Sequence, residues 1–178
     1  MTGKHDPEIR LLTPLDAALY RDIRLEGLKH HPEAFSSTFE REGAKPLSWF
    51  EDRITRGNVF GAFVGAELLG VAGFWPQDGT KTSHKATLWG MYVRPAARGS
   101  GLGQHLVEAI LDHVSGRVEQ LGLSVVSENE AAHRLYRRLG FSEYGRELNA
   151  LKQGGRYFDE ILMARFLAPG RRPRQNRM

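Results

Sequence analysis

Arg98-Gly99-Ser100-Gly101-Leu102-Gly103-Gln104 brings three glycines into five positions. An apolar run ending Met91-Tyr92-Val93 precedes it, and the apolar residues Leu102, Leu106, Val107, Ile110, Leu111 and Val114 follow. The run reads as a buried strand and the later set as one stripe of a helix. Arg94-Pro95 ends the strand, because proline has no N–H to give to a ladder. A glycine-rich turn that opens a helix leaves N–H groups unpaired and unscreened by side chains, which makes a cradle for an anion such as phosphate. A mononucleotide loop would require G-x-x-x-x-G-K-[ST], and no lysine follows these glycines. A dinucleotide loop would require G-x-G-x-x-G, and the third glycine position is Gln104 counted from Gly99 or Leu106 counted from Gly101. What stands is R-x-x-G-x-G.

The elements that must position this turn can be read outward from it. Ile9 to Leu12 reads as a first strand, and Thr13-Pro14 as an N-cap with proline at the first helical position. Leu15, Leu19, Ile23 and Leu28 mark a helix that ends before His30-His31-Pro32, and a second helix covers Leu47 to Thr55. Asn58 to Val64 and Leu68 to Trp75 form a hairpin through Gly65-Ala66-Glu67. After a polar loop come the strand His84 to Val93, the glycine turn with its helix, and the strand Leu121 to Val126. Ser127-Glu128-Asn129-Glu130 reads as an S-x-x-E capping box. Ala132, Leu135, Tyr136 and Leu139 keep helical spacing behind it, and Gly140 is the stop. Ser142 to Leu151 and Tyr157 to Leu167 complete an α/β sandwich with a mixed, mostly antiparallel sheet.

Asn129 to Phe141 is similar to the segment N-x-x-A-x-x-L-Y-x-x-x-G-F of the GNAT superfamily of N-acetyltransferases, and R-x-x-G-x-G resembles that family's acyl-CoA pyrophosphate loop. The two motifs stand about 25 residues apart, the room needed for one helix, one strand and the next helix. Tyr157-Phe158-Asp159-Glu160-Ile161-Leu162-Met163 also resembles the family's last strand. The matches span residues 58 to 167. The first third resembles the family only in its strand-then-helices order, and substrate choice usually resides there.

The resemblance implies acetyl-CoA as cosubstrate and a fold in which strands 84–93 and 121–126 splay to admit it. The amides of Gly99, Ser100, Gly101, Leu102, Gly103 and Gln104, after Arg98, would hold the pyrophosphate. The stretch Met91-Tyr92-Val93 would offer backbone to the pantetheine, through Met91 and Val93. Asn129 either caps its helix or reaches the pantetheine; both readings stay open. Tyr136 is the implied catalytic residue. An amine attacking a thioester expels a thiolate, and a phenol keeps its proton at neutral pH and can supply it. Tyr136 is otherwise an aromatic of the buried stripe.

Many members of the family carry a glutamate base near the positions of Leu88 or Gly90, but no acid occurs between His84 and Val93. His84 is the candidate in its place. Phe35, Trp49, Phe74 and Trp75 could line an acceptor pocket or belong to the core.

Composition narrows the function. With no cysteine, a covalent acetyl-cysteine route and thiolate metal sites are excluded, and the scattered histidines form no ligand spacing, so no metal is expected. No run approaches the roughly 18 apolar residues of a membrane span, and no signal region follows Met1, so a cytoplasmic protein is expected. The net charge of +4 equals the four arginines of Arg171 to Met178, so residues 1–168 read as one domain and 169–178 as a basic, disordered tail. Nucleic acid is accordingly a minor alternative. The expected function is transfer of acetyl from acetyl-CoA to a primary amine, small or on a protein, by direct attack in a ternary complex. The rival is a non-catalytic acyl-CoA sensor or partner-binding module on the same fold. Homodimers are common in the family and compatible with this chain.

Overall fold

A seven-stranded sheet carries the chain. In the computed structural model, which describes residues 6–167, the strands are β1 (Glu8–Leu11), β2 (Val59–Val64), β3 (Glu67–Pro76), β4 (Lys85–Val93), β5 (Gln120–Val126), β6 (Ser142–Gln153) and β7 (Arg156–Phe166). Their order across the sheet is β1-β2-β3-β4-β5-β7-β6, and each neighbouring pair is antiparallel except β4–β5. The mixed, mostly antiparallel sheet expected from the element order is the one that forms. The basic tail, 169–178, lies outside the described residues.

Side-chain alternation sorts two apolar cores onto the two faces. Phe60, Ala62, Ala72, Phe74 and Leu88 pack with α4 (Leu102–Val114) and α5 (Glu130–Arg138). Val59, Val71 and Tyr92 pack on the other face with α1 (Ala17–His30) and α3 (Leu47–Gly57). The stripe of α4 is as expected: Leu102, Leu106, Val107, Ile110, Leu111 and Val114 are all buried.

The first helix departs from its sequence reading. Pro14 opens a 3-10 turn, Pro14–Asp16, and the α-helix begins only at Ala17. Asp16 ties the turn down: its carboxylate accepts from the Thr13 N–H at 2.8 Å and takes both guanidinium nitrogens of Arg10 at 2.8 and 2.9 Å. Leu15 and Leu19, expected on the buried stripe, are 95% and 41% exposed. The face that packs is Ala17, Tyr20, Ile23, Arg24, Gly27 and Leu28. A buried arginine shifts the stripe, and its partner Glu42 lies on α2 (Phe39–Gly43), a five-residue helix too short to show a period in sequence.

The end of α5 is as read. Gly140 takes φ +83°, its N–H reaches the Arg137 carbonyl at 3.0 Å, and the Phe141 N–H reaches Tyr136 at 3.0 Å. The start of α5 is not. The helix begins at Glu130 with Asn129 as its cap, whose Oδ1 accepts from the Ala132 N–H at 3.2 Å. Ser127 instead gives its N–H to the Asp159 carbonyl on β7 at 2.9 Å, so the S-x-x-E box does not form.

Candidate functional site

The site begins where β4 and β5 part. They pair in parallel only from Lys85–Gln120 to Thr87–Gly122; beyond that β4 stays with β3 and β5 with β7. A bulge explains the divergence. Val71 pairs with Tyr92 and Gly73 with Trp89, so Gly90 and Met91 together face Ala72. Gly90 holds φ +63°, the left-handed conformation that a bulge with glycine in its first position uses. The extra residue bends β4 and turns its far half away from β5.

Past the bulge, peptide directions follow from one bond. The Arg94 N–H donates to the Leu69 carbonyl of β3 at 2.9 Å. The Val93 carbonyl, in the same peptide, therefore points to the opening. Strand alternation sends the Val93 N–H and the Met91 carbonyl the same way. Tyr92 lies oppositely. Its backbone faces β3, its ring covers Gly27 of α1, and its hydroxyl donates to Glu26 at 3.0 Å. Of the Met91-Tyr92-Val93 stretch, Met91 and Val93 border the opening, while Tyr92 supports it from behind.

The glycine turn stands at the mouth. A 3-10 turn at Pro95–Ala97 leads to Arg98, then Gly99 at φ +78° and Gly101 at φ +88°, and Gly101 caps α4. Ser100 braces the turn, its hydroxyl donating to the Ala97 carbonyl at 2.6 Å. The N–H groups of Leu102, Gly103 and Gln104 fill the first turn of α4, where no carbonyl of the helix can take them. A thirteen-residue helix adds its positive end to the same spot.

Gly99 and Gly101 are set by their positive φ and Gly103 by close packing. A Cβ on Gly99 would meet nothing within 4 Å, so its backbone is open and its type is set by φ. A Cβ on Gly103 would sit 2.8 Å from Met91 Cε and 3.4 Å from Leu135 Cδ2, so this glycine lets α4 close on β4 and α5. Arg98 turns back onto the strand. Its Nε donates to the Val93 carbonyl at 3.0 Å and its Nη2 meets His31 Nε2 at 3.0 Å, tying the turn to the strand. The Gln104 side chain turns along α4 to Glu108 at 2.8 Å.

Tyr136 reaches this opening from α5. It is 5% exposed, its ring meets Phe141 edge-on with centroids 5.8 Å apart, and its hydroxyl donates to the Met91 sulfur at 3.3 Å. Burial pushes its phenol above the ordinary value, so it holds its proton at neutral pH. A thioether is a weak acceptor, which leaves the proton available to a better one.

No base stands at the opening on β4. Leu88 is buried in the α4-side core and Gly90 is the bulge. His84 precedes β4, where its carbonyl accepts the N–H groups of Glu119 and Gln120 at 2.7 and 3.2 Å. Seven residues of strand, about 23 Å, separate it from Met91, which rules out direct proton transfer.

The proposed aromatic pocket also divides. Phe74 belongs to the α4-side core, and Trp75 stacks on Trp89 with centroids 4.9 Å apart. Trp49 lies instead 5.0 Å from the Arg53 guanidinium, and Phe35 sits by a group the sequence did not reveal, the buried pair Arg24–Glu42. Its two bonds are 2.8 and 2.9 Å, with side chains 5% and 2% exposed. Burial pushes the Glu42 carboxyl up, but the hydrogen bonds and charge of Arg24 outweigh it and the net shift is downward. The signal available in sequence was the four-residue spacing of Tyr20 and Arg24, which puts an arginine on the packed face.

Known proteins share this architecture. The chain matches the Acetyltransferase (GNAT) family over residues 24–141. It is 34% identical over 138 residues to a mycothiol acetyltransferase of Streptomyces scabiei, covering 75% of this chain but only 42% of that protein. It is 32% identical over 146 residues to the N-alpha-acetyltransferase RimI of Mycobacterium tuberculosis, covering 82% of this chain and 85% of the relative. The structure of yncA from Salmonella typhimurium, a putative acetyltransferase solved with acetyl-CoA, superposes with a TM-score of 0.77 at 22% identity, over 94% of this chain and 98% of that one. With a family match across most of its length and the β4–β5 opening beside a glycine turn, the chain belongs to the GNAT family of acetyltransferases.

Proposed function

We propose that the chain, in the cytoplasm and with residues 1–168 as one catalytic domain, moves an acetyl group from acetyl-CoA to a primary amine by direct attack in a ternary complex. The observation that carries this reading is the parting of β4 and β5 at Thr87 and Gly122, with the glycine turn at its mouth and the Tyr136 hydroxyl at its wall. Acetyl-CoA supplies the activated acyl group. The amides from Gly99 to Gln104 hold its pyrophosphate, and the Met91 carbonyl and Val93 N–H take its pantetheine arm as though it were a strand. Asn129 spends its Oδ1 on the helix, which leaves its Nδ2 for the same arm. Arg98 positions the turn through Val93. Tyr136 holds a proton at its Oη for the sulfur that departs. The amine's own proton leaves through water, since β4 carries no acid.

Free thiol release with a panel of amines tests the reading, and a cysteine-free chain gives no background in that assay. Turnover with any amine supports it. Tight acetyl-CoA binding with no turnover on any amine would make the chain an acyl-CoA sensor instead.

A further inference from the structure

Behind the bulge, on the α1 side of β4, four polar atoms are buried without a hydrogen-bond partner among the described residues: Tyr20 Oη, Arg24 Nη1, Arg53 Nε and Trp89 Nε1. They form one group. The Arg53 guanidinium lies 4.5 Å above the Trp89 ring, and Tyr20 feels the charges of Arg24, Arg53 and Glu42. Each of these atoms can donate a hydrogen bond. Arg24 is paired with Glu42, while Arg53, half-buried, has no carboxylate partner among the described residues. Unpaired buried donors cost free energy, and a half-buried cation without a counter-ion adds to the cost. An anion would satisfy both deficits at once.

The cluster lies against the bulge. A Cβ on Gly90 would have Arg24 Nη1 as its nearest neighbour, 3.6 Å away, so the free guanidinium nitrogen faces the space beside the bulge. Gly90 adjoins Met91, whose carbonyl borders the β4–β5 opening, and consecutive Cα atoms stand about 3.8 Å apart. Phe35, from the irregular stretch before α2, stands 5.0 Å over the same guanidinium and gives the space an apolar wall.

We infer that the acceptor is an amino acid-like molecule, whose carboxylate is held by Arg24 with Arg53, Tyr20 and Trp89 around it. An acid anchored there leaves an amine one or two carbons away within reach of a group docked along Met91 and Val93. This inference rests on the acetyl-transfer reading and names its acceptor class.

The test is calorimetric titration into protein saturated with coenzyme A. It compares L-leucine with 3-methylbutylamine and L-phenylalanine with 2-phenylethylamine, pairs that differ only in the carboxylate. The amino acids should bind at least tenfold more tightly. That advantage should fall below threefold in R24Q/E42Q, which replaces both members of the buried pair with neutral hydrogen-bonding groups, and shrink in R53Q, which leaves the pair intact. Equal binding within each pair, an advantage unchanged in both variants, or no binding of either series to the coenzyme A complex would overturn the inference and leave the cosubstrate reading standing. Failure of coenzyme A itself to bind would remove the cosubstrate reading, and the acceptor inference with it.

Discussion

The glycine turn with α4 and the cover of α1 to α3 both border β4, and they are built from different materials. Around the turn, the groups offered to a ligand are peptide: the N–H groups of Leu102, Gly103 and Gln104, the Val93 N–H and the Met91 carbonyl. The side chains there brace the backbone, as Ser100 does on Ala97 and Arg98 on Val93. On the other side of the sheet the polar groups are side chains: Arg24 on Glu42, Arg10 on Asp16, and the unpaired atoms of Tyr20, Arg53 and Trp89. Peptide groups do not titrate and hardly depend on residue type, whereas a buried ion pair depends on both partners and on pH. The first half suits a cosubstrate that never changes, and the second suits an acceptor that distinguishes one protein from its relatives.

Mutations should separate the halves. E42A strands the Arg24 charge in the core, and breaking a buried pair costs about 3–5 kcal/mol. For a domain this size that lowers Tm by roughly 6–20 °C. The protein that remains folded should still bind acetyl-CoA with unchanged affinity, read by calorimetry below the melt. A matching loss of cosubstrate affinity would break the division. Y136F should leave both Tm and acetyl-CoA affinity near wild type while kcat falls by about 10²–10⁴, the usual worth of a positioned proton donor. An unchanged kcat would return Tyr136 to the core stripe.

Acid should act on the side-chain half first. The Arg10 hydrogen bonds hold the Asp16 carboxyl down to about 2, with smaller help from Thr13. A depressed folded value means stability that is complete above the unfolded value near 4 and is lost as pH falls toward 2. The loss should amount to roughly 2 kcal/mol at most, and Glu42 adds to it with the same sign. Melts of wild type and D16N between pH 5 and 2 should converge as pH falls; parallel curves would contradict the assignment. The smallest effect is G101A. A side chain at φ +88° costs about 1–2 kcal/mol, and Tm should drop by roughly 2–8 °C together with acetyl-CoA affinity.

The same division decides what could be read from the sequence. The turn from Gly99 to Gln104 was legible because backbone conformation leaves a mark in residue type: glycines where φ is positive, proline where a strand ends. The succession of strands and helices along the chain and the stop at Gly140 were legible for the same local reason. Arg24–Glu42 was not, because a long-range pair between α1 and a five-residue α2 has no local period, and one charged residue in a helix reads as its solvent face. Leu15 was placed inside by its type, yet the face that packs is set by Tyr20 and Arg24. The S-x-x-E box failed because Ser127 still runs alongside β7, bonded to Asp159, while Asn129 stands where the helix turns. Asn129 as cap and Tyr136 in the opening were legible as positions, and their chemistry rests on experiment.

Whether the parting of β4 and β5 is an acyl-CoA site is tested most directly by a thermal melt. Acetyl-CoA at about 100 times its dissociation constant should add about 2.7 kcal/mol and raise Tm by roughly 5–11 °C, while NADH and ATP at the same concentration should do far less. No shift with saturating acetyl-CoA, or an equal shift with all three, would contradict that assignment.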